Sequence, residues 1–364
     1  MHIAIDARII NSSTGRYVER LLTYLQDIDH TNHYSILVRE KDREYWKPKN
    51  SNFSIVVAEF DNYSFAEQLG FHGLLKDISP DLVHFCMPQQ PVLYKGKKIT
   101  TFHDLSLIHT WNSDKNWFIY HAKQLVGKFV FKRVARGNDH IIAISDYTKK
   151  DLLNFVDIPE EKVSVIYEAS DITNTSSHAY SVGFKKYILY VGQQPDYKNI
   201  KRLGDAHQKL IKKYPDLGLV LVGRKNESAL INEAYFIKKK YKNIFFTDFT
   251  PDAQLNWLYA HASVYVFPSL MEGFGLPGLE AMGHGLPVVS SSATCLPEIY
   301  GDAALYFDPK NTDDIARTID KVLTDEKLQT TLIKNGFKQI KKYSWKKMAE
   351  QTHAIYMKVL KTKN

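Results

Sequence analysis

Two glutamates stand eight positions apart in a stretch rich in glycine and proline. Glu272 and Glu280 lie in segment 268–287, which also holds five glycines and three prolines. A carboxylate that accepts two hydrogen bonds suits a vicinal diol, such as that of a ribose or a hexose. In the structural alternative, Glu272 caps the loop and Glu280 is a solvated charge at a helix start. The surrounding glycines and prolines favour the sugar-binding interpretation.

The elements around this segment are expected to hold both carboxylates at one point. Apolar runs at 264–267 and 288–290 predict strands, and a glycine-rich loop and a helix lie between them. Pro277 suits the first helical position, which places Glu280 in the first turn. The helix is expected to run to about His284, with Gly285 as its C-terminal stop. A loop that opens into a helix start presents backbone N–H groups to a phosphate or a sugar.

The glutamate spacing and its surroundings carry a resemblance to a known family. The seven residues between Glu272 and Glu280 give the E-x7-E pattern of retaining glycosyltransferases that have two Rossmann-like domains. The surrounding run resembles glycosyltransferase family 4 in the segments 267–269, 272–275, 280–282 and 285–289. The resemblance implies that Glu280 holds the ribose of a nucleotide sugar and Glu272 its sugar. It also implies donor contacts from Gly273, Phe274, Gly275 and Leu276.

Length, charge and cysteine usage narrow the class of protein. The 364 residues suffice for two domains, and the composition is that of an ordinary globular chain. The net charge of +8 favours anionic partners, namely nucleotide diphosphates, phospholipid surfaces or nucleic acid, without choosing among them. Two cysteines, Cys86 and Cys295, indicate neither a disulfide framework nor a metal cluster and favour a reducing, cytosolic setting. The N-terminus begins as a strand rather than a signal peptide, and no apolar run is long enough to span a membrane.

Apolar runs alternate with amphipathic patterns along the whole chain, which predicts an α/β fold. Predicted strands cover residues 2–9, 34–38, 53–60, 82–85, 99–102, 140–145, 163–167, 187–191, 219–222, 244–247, 264–267, 288–291 and 304–307. Predicted helices cover residues 16–27, 65–78, 117–136, 146–155, 200–213, 227–240, 252–260, 277–284, 312–337 and 344–360.

A polar, turn-rich stretch from 170 to 183 predicts a domain boundary. We therefore expect two doubly wound Rossmann-like domains facing a cleft, the GT-B fold, with ligands at the carboxyl ends of strands. The first domain is predicted to comprise residues 1–172 plus 349–364 and to bind the acceptor. The second comprises residues 183–348 and binds the nucleotide sugar. The resemblance implies that the last helix returns to the first domain.

Two further segments of the first domain can contact the donor. The loop 11–17 joins a strand to a helix, and Gly15 resembles the family position that contacts the diphosphate; a helix N-cap at Ser12 or Ser13 can hold at the same time. His103 and Asp104 follow a strand and resemble the His-Asp segment beside the donor sugar. A His-Asp pair could act as a base, but we favour sugar contact and loop positioning; a histidine in a polar loop without function is the remaining alternative.

Lys198 follows a strand end in the second domain and precedes a helix. It resembles the family lysine that neutralises the diphosphate, where a cation stabilises the charge that grows on the leaving group. A solvated helix-start lysine is the alternative. Gln193 and Gln194 occupy positions where many relatives carry an arginine, so Arg202 or Arg224 would supply the second charge.

Other segments of the first domain carry less specific signals. The segment 145–152 resembles the family, but its simplest interpretation is a helix that begins with Ser145 as its N-cap. The segment at Glu168 departs from the Asn-Gly often found there, which leaves any role of Glu168 in doubt. The helix 117–136 carries cations and aromatic residues that could contact an anionic membrane, but a core-facing aromatic stripe with a solvated basic face is the favoured explanation. These residues are Lys123, Lys128, Lys132, Arg133, Arg136, Trp117, Phe118, Phe129 and Phe131.

The resemblance implies a retaining hexosyltransferase that uses a nucleotide diphosphate sugar. The segments 296–298 and 301–304 resemble bacterial mannosyltransferases and related hexosyltransferases of surface polysaccharide assembly, which favours GDP-mannose over a UDP sugar. His103, Lys198 and Glu272 would serve catalysis, and no metal or cofactor is expected. The acceptor would be a glycan or a lipid-linked hydroxyl in polysaccharide biosynthesis, at the cytoplasmic face of the membrane and without nucleic acid. The alternatives are a sugar-nucleotide epimerase, a glycan phosphorylase and a non-catalytic sugar-nucleotide-binding subunit. The phosphorylase would need a cofactor lysine context that the sequence does not show.

Overall fold

The computed structural model describes residues 1–12, 14–62, 64–109, 117–171 and 177–362, without the side chains of 117–123. The described residues form two compact units. The first unit is built on the described parts of Met1–Ile108, Lys115–Glu168 and Ser344–Asn364, and the second on the described parts of His109–Asp114 and Ala169–Tyr343.

The first unit contains one parallel sheet with helices between its strands. Its strands are β1 (His2–Asp6), β2 (His33–Val38), β3 (Phe53–Val57), β4 (Leu82–Phe85), β5 (Lys98–Phe102), β6 (His140–Ala143) and β7 (Val163–Val165). Its helices include α1 (Gly15–Ile28), α2 (His72–Ile78, after a π-helical turn Glu67–Phe71), α3 (Ser106–His109), α4 (Trp117–Gly137) and α5 (Asp146–Phe155). The sheet order is β3-β2-β1-β4-β5-β6-β7, and every described pairing is parallel.

The second unit repeats this architecture with six strands. They are β8 (Lys186–Val191), β9 (Leu217–Val222), β10 (Ile244–Phe246), β11 (Val264–Phe267), β12 (Val288–Ser291) and β13 (Ala304–Phe307). The helices are α6 (Ile200–Leu210), α7 (Glu227–Lys238), α8 (Asp252–His261), α9 (Leu276–Gly283), α10 (Leu296–Tyr300), α11 (Thr312–Thr324) and α12 (Glu326–Gln339). The order β10-β9-β8-β11-β12-β13 is again parallel, as the doubly wound prediction requires.

The last helix, α13 (Trp345–Lys361), belongs to the first unit. Its Tyr356 is fully buried and shares a 2.7 Å hydrogen bond with His84 of β4, and His353 lies 2.9 Å from Asp29 at the end of α1. Lys97 donates to the Val359 and Thr362 carbonyls at the end of this helix. These contacts attach the C-terminal segment to α1, β4 and the segment before β5.

Buried apolar runs explain the strands. All six residues of β9 are buried, as are all four of β11 and of β12, because helices cover both faces of a doubly wound sheet. The prediction that β1 extends to residue 9 is wrong. The strand ends at Asp6 because the chain turns so that buried Arg8 can pair with Asp6 at 2.7 Å and with Glu67 at 2.8 Å.

The single helix predicted at 312–337 is also wrong. The chain forms α11 and α12 there, and Asp325 separates them with extended backbone. The Asp325 side chain accepts a 2.9 Å hydrogen bond from the Leu328 N–H and so caps α12. The break at Asp325–Glu326 contains no glycine or proline, and the amphipathic pattern runs through it without interruption. The sequence pattern therefore predicts one helix, whereas the Asp325 cap begins a second one.

No helix in the described part of the chain combines the length and apolarity that crossing a bilayer requires. Both cysteines, Cys86 and Cys295, are free and fully buried. Burial raises the pKa of both thiols well above the ordinary value, so neither is poised to react as a thiolate.

Candidate functional site

The strand order of the second unit reverses between β8 and β11. From β8 the chain proceeds to β9 on one side, whereas β11 leads to β12 on the other. In open parallel sheets ligands bind outside the carboxyl ends of the strands at such a switch point. The segment after β8 carries Lys198, and the segment after β11 carries Glu272.

Backbone hydrogen bonds join these two segments. The Leu270 N–H donates to the Tyr197 carbonyl at 2.7 Å. Asn199, in the left-handed conformation with φ of 62°, donates its side-chain amide to the carbonyls of Pro268 at 3.0 Å and Pro309 at 2.7 Å. Asparagine tolerates this conformation better than most residues, so it can end the turn Asp196–Lys198 and start α6.

Lys198 and Glu272 form an ion pair within this frame. The Nζ of Lys198 donates to Oε1 of Glu272 at 2.5 Å, and the side chains are only 16% and 11% exposed. The ammonium also lies 5.3 Å and 5.4 Å from the ring centres of Tyr197 and Phe267. A charge-assisted hydrogen bond in such a shielded place is stronger than a surface pair. The structure therefore brings together two residues that are 74 positions apart in the sequence.

The loop after Glu272 is held from beneath by α10 and its neighbours. The Tyr300 hydroxyl donates to the Gly275 carbonyl at 2.5 Å, and the Glu272 N–H donates to the Thr294 hydroxyl at 3.2 Å. Gly275 has φ of +98°, and a Cβ there would press on Tyr300 and Leu296. Only glycine satisfies both demands, so this position shapes the loop.

Gly273, Phe274 and Leu276 complete the predicted donor loop. Gly273 and Phe274 are buried, and the Phe274 ring packs edge-on against Tyr343 with centres 5.5 Å apart. Leu276 is half-buried at the start of α9. The Phe274 side chain therefore packs inside the unit, and its predicted donor contact would come from the backbone.

Glu280 lies in the second turn of α9 rather than the first. The helix begins at Leu276 after the Gly275 cap, so Pro277 occupies its second position and the expected first position is wrong. Glu280 is half-buried, and its Oε2 accepts a 3.1 Å hydrogen bond from the Tyr259 hydroxyl of α8. The predicted stop at Gly285 is confirmed by its φ of +68° and by bonds from the Gly285 and Leu286 N–H groups to the Met282 and Ala281 carbonyls.

The two arginine candidates have different surroundings. Arg202 donates to the Asn199 side chain at 2.8 Å and is half-buried in the first turn of α6. Arg224 is exposed after β9, with its guanidinium 5.4 Å from the centre of the Phe249 ring. Arg202 thus belongs to the frame that carries Lys198, whereas Arg224 lies at the end of the neighbouring strand.

Gly15 is the first residue of α1 in the first unit. A Cβ on Gly15 would overlap the Ile10 carbonyl, which explains the need for glycine here. Its N–H donates to the Ser12 carbonyl at 3.0 Å. The cap of α1 is Thr14 rather than Ser12, and its side chain makes no capping bond; Ser13 lies outside the described residues. The diphosphate contact of Gly15 stays a prediction.

His103 follows β5 and is held at both ring nitrogens. Its Nδ1 lies 3.1 Å from Oε1 of Glu168, and its Nε2 lies 2.9 Å from the Cys86 carbonyl oxygen. The Tyr17 ring meets it edge-on at 4.9 Å. Asp104 does not join this pair, since its carboxylate accepts from the N–H and hydroxyl of Ser106 at the start of α3.

Sequence reasoning missed the partners of two site residues, His103 and Glu280. Glu168 stands 65 residues from His103, and Tyr259 stands 21 residues from Glu280. The placement of Glu168 three residues after the end of β7 was the available signal, because carboxyl ends of parallel strands share one edge of the sheet. The Cys86 carbonyl carried no signal in the sequence.

The basic helix α4 has an inward and an outward aromatic face. Phe131 is buried against Phe102, with ring centres 5.9 Å apart, whereas Phe129 is exposed beside the exposed Leu125 and Val126. Lys132 lies over the Phe155 ring, while Lys128, Arg133 and Arg136 are exposed. The side chains of Trp117, Phe118 and Lys123 lie outside the described residues.

The predicted helix N-cap at Ser145 is confirmed, since its hydroxyl caps α5 by accepting a hydrogen bond from the Thr148 N–H.

The described side chains contain no cluster of metal-ligand type. Among those that the structure describes, no group of three or more His, Cys, Asp or Glu residues is arranged to hold a metal ion.

Comparison with known proteins identifies the family. The sequence profile described as "Glycosyl transferases group 1" matches residues 171–339, and that described as "Glycosyltransferase Family 4" matches residues 14–173. O-antigen chain mannosyltransferase B of Escherichia coli is 31% identical over 277 residues, which cover 71% of this chain and 70% of that protein.

Solved structures share the fold at low sequence identity. Sucrose-phosphate synthase from Thermosynechococcus elongatus superposes with a TM-score of 0.80 at 17% identity, over 99% of both chains. Anabaena HepE, solved in complex with UDP and glucose, gives a TM-score of 0.74 at 15% identity, over 98% of this chain and 99% of that one. These neighbours have the GT-B fold, and with the matched profiles and the E. coli relative they show that the chain belongs to glycosyltransferase family 4.

Proposed function

We propose that this glycosyltransferase moves a mannosyl residue from GDP-mannose to a hydroxyl of a glycan or lipid-linked acceptor in polysaccharide biosynthesis, with retention at the anomeric carbon. The observation that carries the proposal is the Lys198–Glu272 pair at the switch point of the second sheet. A cation and a carboxylate placed there can serve the two halves of a nucleotide sugar, its diphosphate and its sugar.

Lys198 has the electrostatic role. When the bond from the anomeric carbon to the diphosphate oxygen breaks, negative charge grows on that oxygen. An ammonium that is already oriented by Glu272 and shielded by two aromatic rings needs little rearrangement to stabilise it. Donor binding would then exchange part of the Lys198–Glu272 bond for bonds to the diphosphate and the sugar hydroxyls.

Glu280 and the glycine loop have the binding role. Tyr259 occupies Oε2 of Glu280, and the carboxylate retains acceptor capacity for the two hydroxyls of a ribose. Gly273, Gly275 and the start of α9 offer backbone groups to the donor. The acceptor hydroxyl attacks the anomeric carbon from the face that the diphosphate leaves, and the leaving diphosphate oxygen takes its proton.

The choice of mannose follows from the relatives. The E. coli relative is named an O-antigen chain mannosyltransferase, which favours GDP-mannose as donor and a surface polysaccharide as product. HepE binds UDP and glucose, so a UDP sugar is the competing donor. The exposed basic face of α4, with Leu125, Val126 and Phe129 beside it, suits contact with an anionic cytoplasmic membrane that carries the acceptor.

The test is transfer from GDP-mannose and from UDP-glucose to mannose-terminated oligosaccharides and a lipid-linked analogue, with and without a chelator. We expect acceptor-dependent release of GDP, an α-linked product by NMR, and activity that persists in the chelator. Conversion of the nucleotide sugar without acceptor would indicate the epimerase. Tight binding of GDP without transfer would support the non-catalytic alternative, and a β-linked product would contradict retention.

A further inference from the structure

The first unit contains a cavity of about 350 Å³ near the starts of β5 and β6. Its walls are the segment 90–95, Lys98 at the start of β5, and the last turn of α4. The carboxyl ends of the strands, where His103 follows β5, lie at the opposite edge of the sheet. The five residues of β5 separate the two edges by about 13 Å, since a strand rises about 3.3 Å per residue. The cavity is therefore distinct from the predicted donor contacts of this unit.

The lining of this cavity is strongly cationic. Its charged side chains are all basic, and no Asp or Glu belongs to the described lining. They are Lys95, Lys98, Arg133 and Arg136. Both arginines are exposed, and within the part of the chain that the structure describes neither forms an ion pair. Their guanidinium groups are therefore available to a ligand.

Lys98 is the buried cation of the group, with 7% of its surface exposed. Its Nζ donates to the Tyr94 carbonyl at 2.5 Å and, at the longer distance of 3.5 Å, to the Gly96 carbonyl. An ammonium group has three N–H donors, so one remains for a ligand.

The charges around Lys98 do not balance. Asp139 accepts from the Lys98 backbone N–H at 2.8 Å, but among the described residues no carboxylate forms an ion pair with its ammonium. Burial lowers the pKa of Lys98; the charge of Asp139 raises it, and those of Lys162 and Arg133 lower it again. A buried cation with cationic neighbours is stabilised by an anion that binds beside it.

Gln90 adds a buried acceptor to the same cavity. It is 1% exposed, and its Nε2 lies 3.3 Å from the Thr100 hydroxyl. That hydroxyl donates its single proton to Oδ1 of Asn138 at 2.9 Å, so it accepts from Gln90 and fixes the orientation of the amide. Oε1 of Gln90 has no hydrogen-bond partner among the described atoms. A buried acceptor without a donor costs free energy, and a ligand hydroxyl would satisfy it.

The helix end beside the cavity does not oppose an anion. Unpaired carbonyls at a helix C-terminus carry partial negative charge. In α4 the Val134 carbonyl accepts from the backbone N–H and from the side-chain amide of Asn138, at 3.1 and 2.7 Å. The Arg136 carbonyl accepts from Nζ of Lys162 at 2.7 Å. These donors offset part of the negative charge, and Lys162 adds a further cation near the lining.

We infer that this cavity binds a phosphate ester that carries a free hydroxyl, at a site separate from the proposed donor site. Arginine side chains and an incompletely paired ammonium suit phosphate oxygens. The unpartnered Gln90 oxygen selects a ligand with a hydroxyl beside that phosphate. The volume lies at the lower end of the range for small-molecule sites, which fits a glycerol phosphate or hexose phosphate group. The inference does not depend on the proposed transfer reaction.

Two sources supply this chemistry, a soluble phosphate ester and the headgroup of a glycerol-bearing anionic lipid. Leu93 lines the cavity and is 60% exposed. Phe129 lies one turn before Arg133 on α4 and is 68% exposed, so apolar groups stand beside the cations. Apolar side chains exposed next to a phosphate site favour the lipid headgroup.

Calorimetric titration of the full chain with glycerol 3-phosphate and with methyl phosphate tests the site. At a pH where both esters are dianions they have equal charge, but only glycerol 3-phosphate carries free hydroxyls. We expect wild-type protein to bind glycerol 3-phosphate at least about 5-fold tighter, as one satisfied buried acceptor implies, and Gln90→Leu to remove that preference. No binding of either ester, or equal binding of both by the wild-type protein, would overturn the inference.

Charge variants locate the bound phosphate. Arg133→Gln combined with Arg136→Gln should weaken binding of glycerol 3-phosphate at least about 10-fold, because charge-assisted hydrogen bonds are lost. Lys128→Gln combined with Lys150→Gln removes the same charge from exposed residues outside the lining and is the matched control. An equal loss in the control would reduce the effect to net charge, and a loss in Lys198→Ala would place the phosphate in the proposed donor site. Either result contradicts the inference.

Vesicles separate the two sources. The full chain is sedimented with phosphatidylcholine vesicles that contain either phosphatidylglycerol or phosphatidylmethanol, which has the same charge and no free hydroxyl. Preference for phosphatidylglycerol that glycerol 3-phosphate abolishes assigns the lipid headgroup, whereas equal binding of both lipids beside tight binding of glycerol 3-phosphate assigns the soluble ester. A preference for phosphatidylglycerol that persists in the double arginine variant would contradict the site. None of these measurements uses sugar transfer, so failure of the proposed function leaves the result readable.

Discussion

The Nζ of Lys198 lies 2.5 Å from Oε1 of Glu272, and the two residues follow neighbouring parallel strands, β8 and β11. The Leu270–Tyr197 backbone bond holds the same two segments together, so the pair does not depend on two flexible side chains alone. Because each partner is mostly shielded from water, removing one deprives the other of a charge-assisted hydrogen bond that water replaces poorly. The pair is thus both a structural link and the electrostatic centre of the proposed donor site.

Lys198→Ala should lower turnover more than it weakens nucleotide binding. The lysine is proposed to act on charge that appears mainly in the transition state, so we expect kcat to fall by about 100- to 1,000-fold. Steady-state kinetics together with the Kd of GDP measure the two effects. Lys201→Ala is the control, because Lys201 lies three positions on and pairs with Asp196 in a more exposed place. Full activity of Lys198→Ala would show that the site is assigned wrongly.

Glu280→Gln should mainly weaken nucleotide binding. A carboxylate that accepts from two ribose hydroxyls is replaced by an amide with one acceptor oxygen, at a cost of about 1–3 kcal/mol, or about 5- to 150-fold in Kd. Tyr259→Phe removes the bond that orients Glu280 and should give a smaller loss. Calorimetric titration with GDP checks this order. Equal Kd values for Glu280→Gln and the wild type would remove Glu280 from the site.

Gly275→Ala should distort the donor loop. The residue has φ of +98°, which disfavours any side chain by about 1–2 kcal/mol, and the new Cβ would press on the Tyr300 hydroxyl. We expect a lower unfolding temperature and weaker GDP binding together. Gly73→Ala in α2 is the control, since a Cβ there meets no neighbour within 4 Å and alanine favours a helix. A Gly275→Ala protein as stable and active as the wild type would contradict the loop geometry.

Acidification should destabilise the second unit through His207. Burial lowers the pKa of His207 to about 4 in the folded state, whereas the ordinary value is 6.5. Between these values the unfolded chain binds a proton that the folded chain does not, so the contribution is complete above pH 6.5 and is lost as pH falls toward 4. The slope is at most about 1.4 kcal/mol per pH unit.

His207→Gln should remove this slope, and denaturant unfolding followed from pH 7 to about 4 measures it. His178→Gln, at an exposed histidine of the same unit, is the control. An unchanged pH dependence in His207→Gln would show that the ring does not titrate as its burial implies.

The local pattern of apolar residues was sufficient to predict the strands and the order of the helices and strands along the chain. Each described strand coincides with a predicted apolar run, because doubly wound sheets bury both faces and therefore leave a continuous apolar signal. The predicted ends of helices and strands were wrong where the interactions of a single side chain determined them. Arg8 turned the chain away from β1 to reach Asp6 and Glu67, and Asp325 restarted a helix that the periodicity continued.

Site residues were accessible from sequence only where a motif was local. Glu272, Glu280 and the glycines between them stand in one segment, and Lys198 stands at a strand end. The pairings Lys198–Glu272, His103–Glu168 and Tyr259–Glu280 join different elements, so tertiary packing alone reveals them. The predicted N-cap of α1 at Ser12 is also wrong. Thr14 occupies the cap position, and Ser12 accepts a hydrogen bond from Gly15 through its backbone carbonyl.

Thermal unfolding with GDP, UDP, ADP and no nucleotide tests the central claim most directly. A ligand that binds only the folded state at 100 times its Kd adds about 2.7 kcal/mol to the free energy of unfolding, which shifts the melting temperature measurably. We expect the shift with GDP, its absence with ADP, and a smaller shift in Glu280→Gln at the same GDP concentration. A shift with UDP alone would replace the proposed donor. No shift with any nucleotide would contradict the donor site itself.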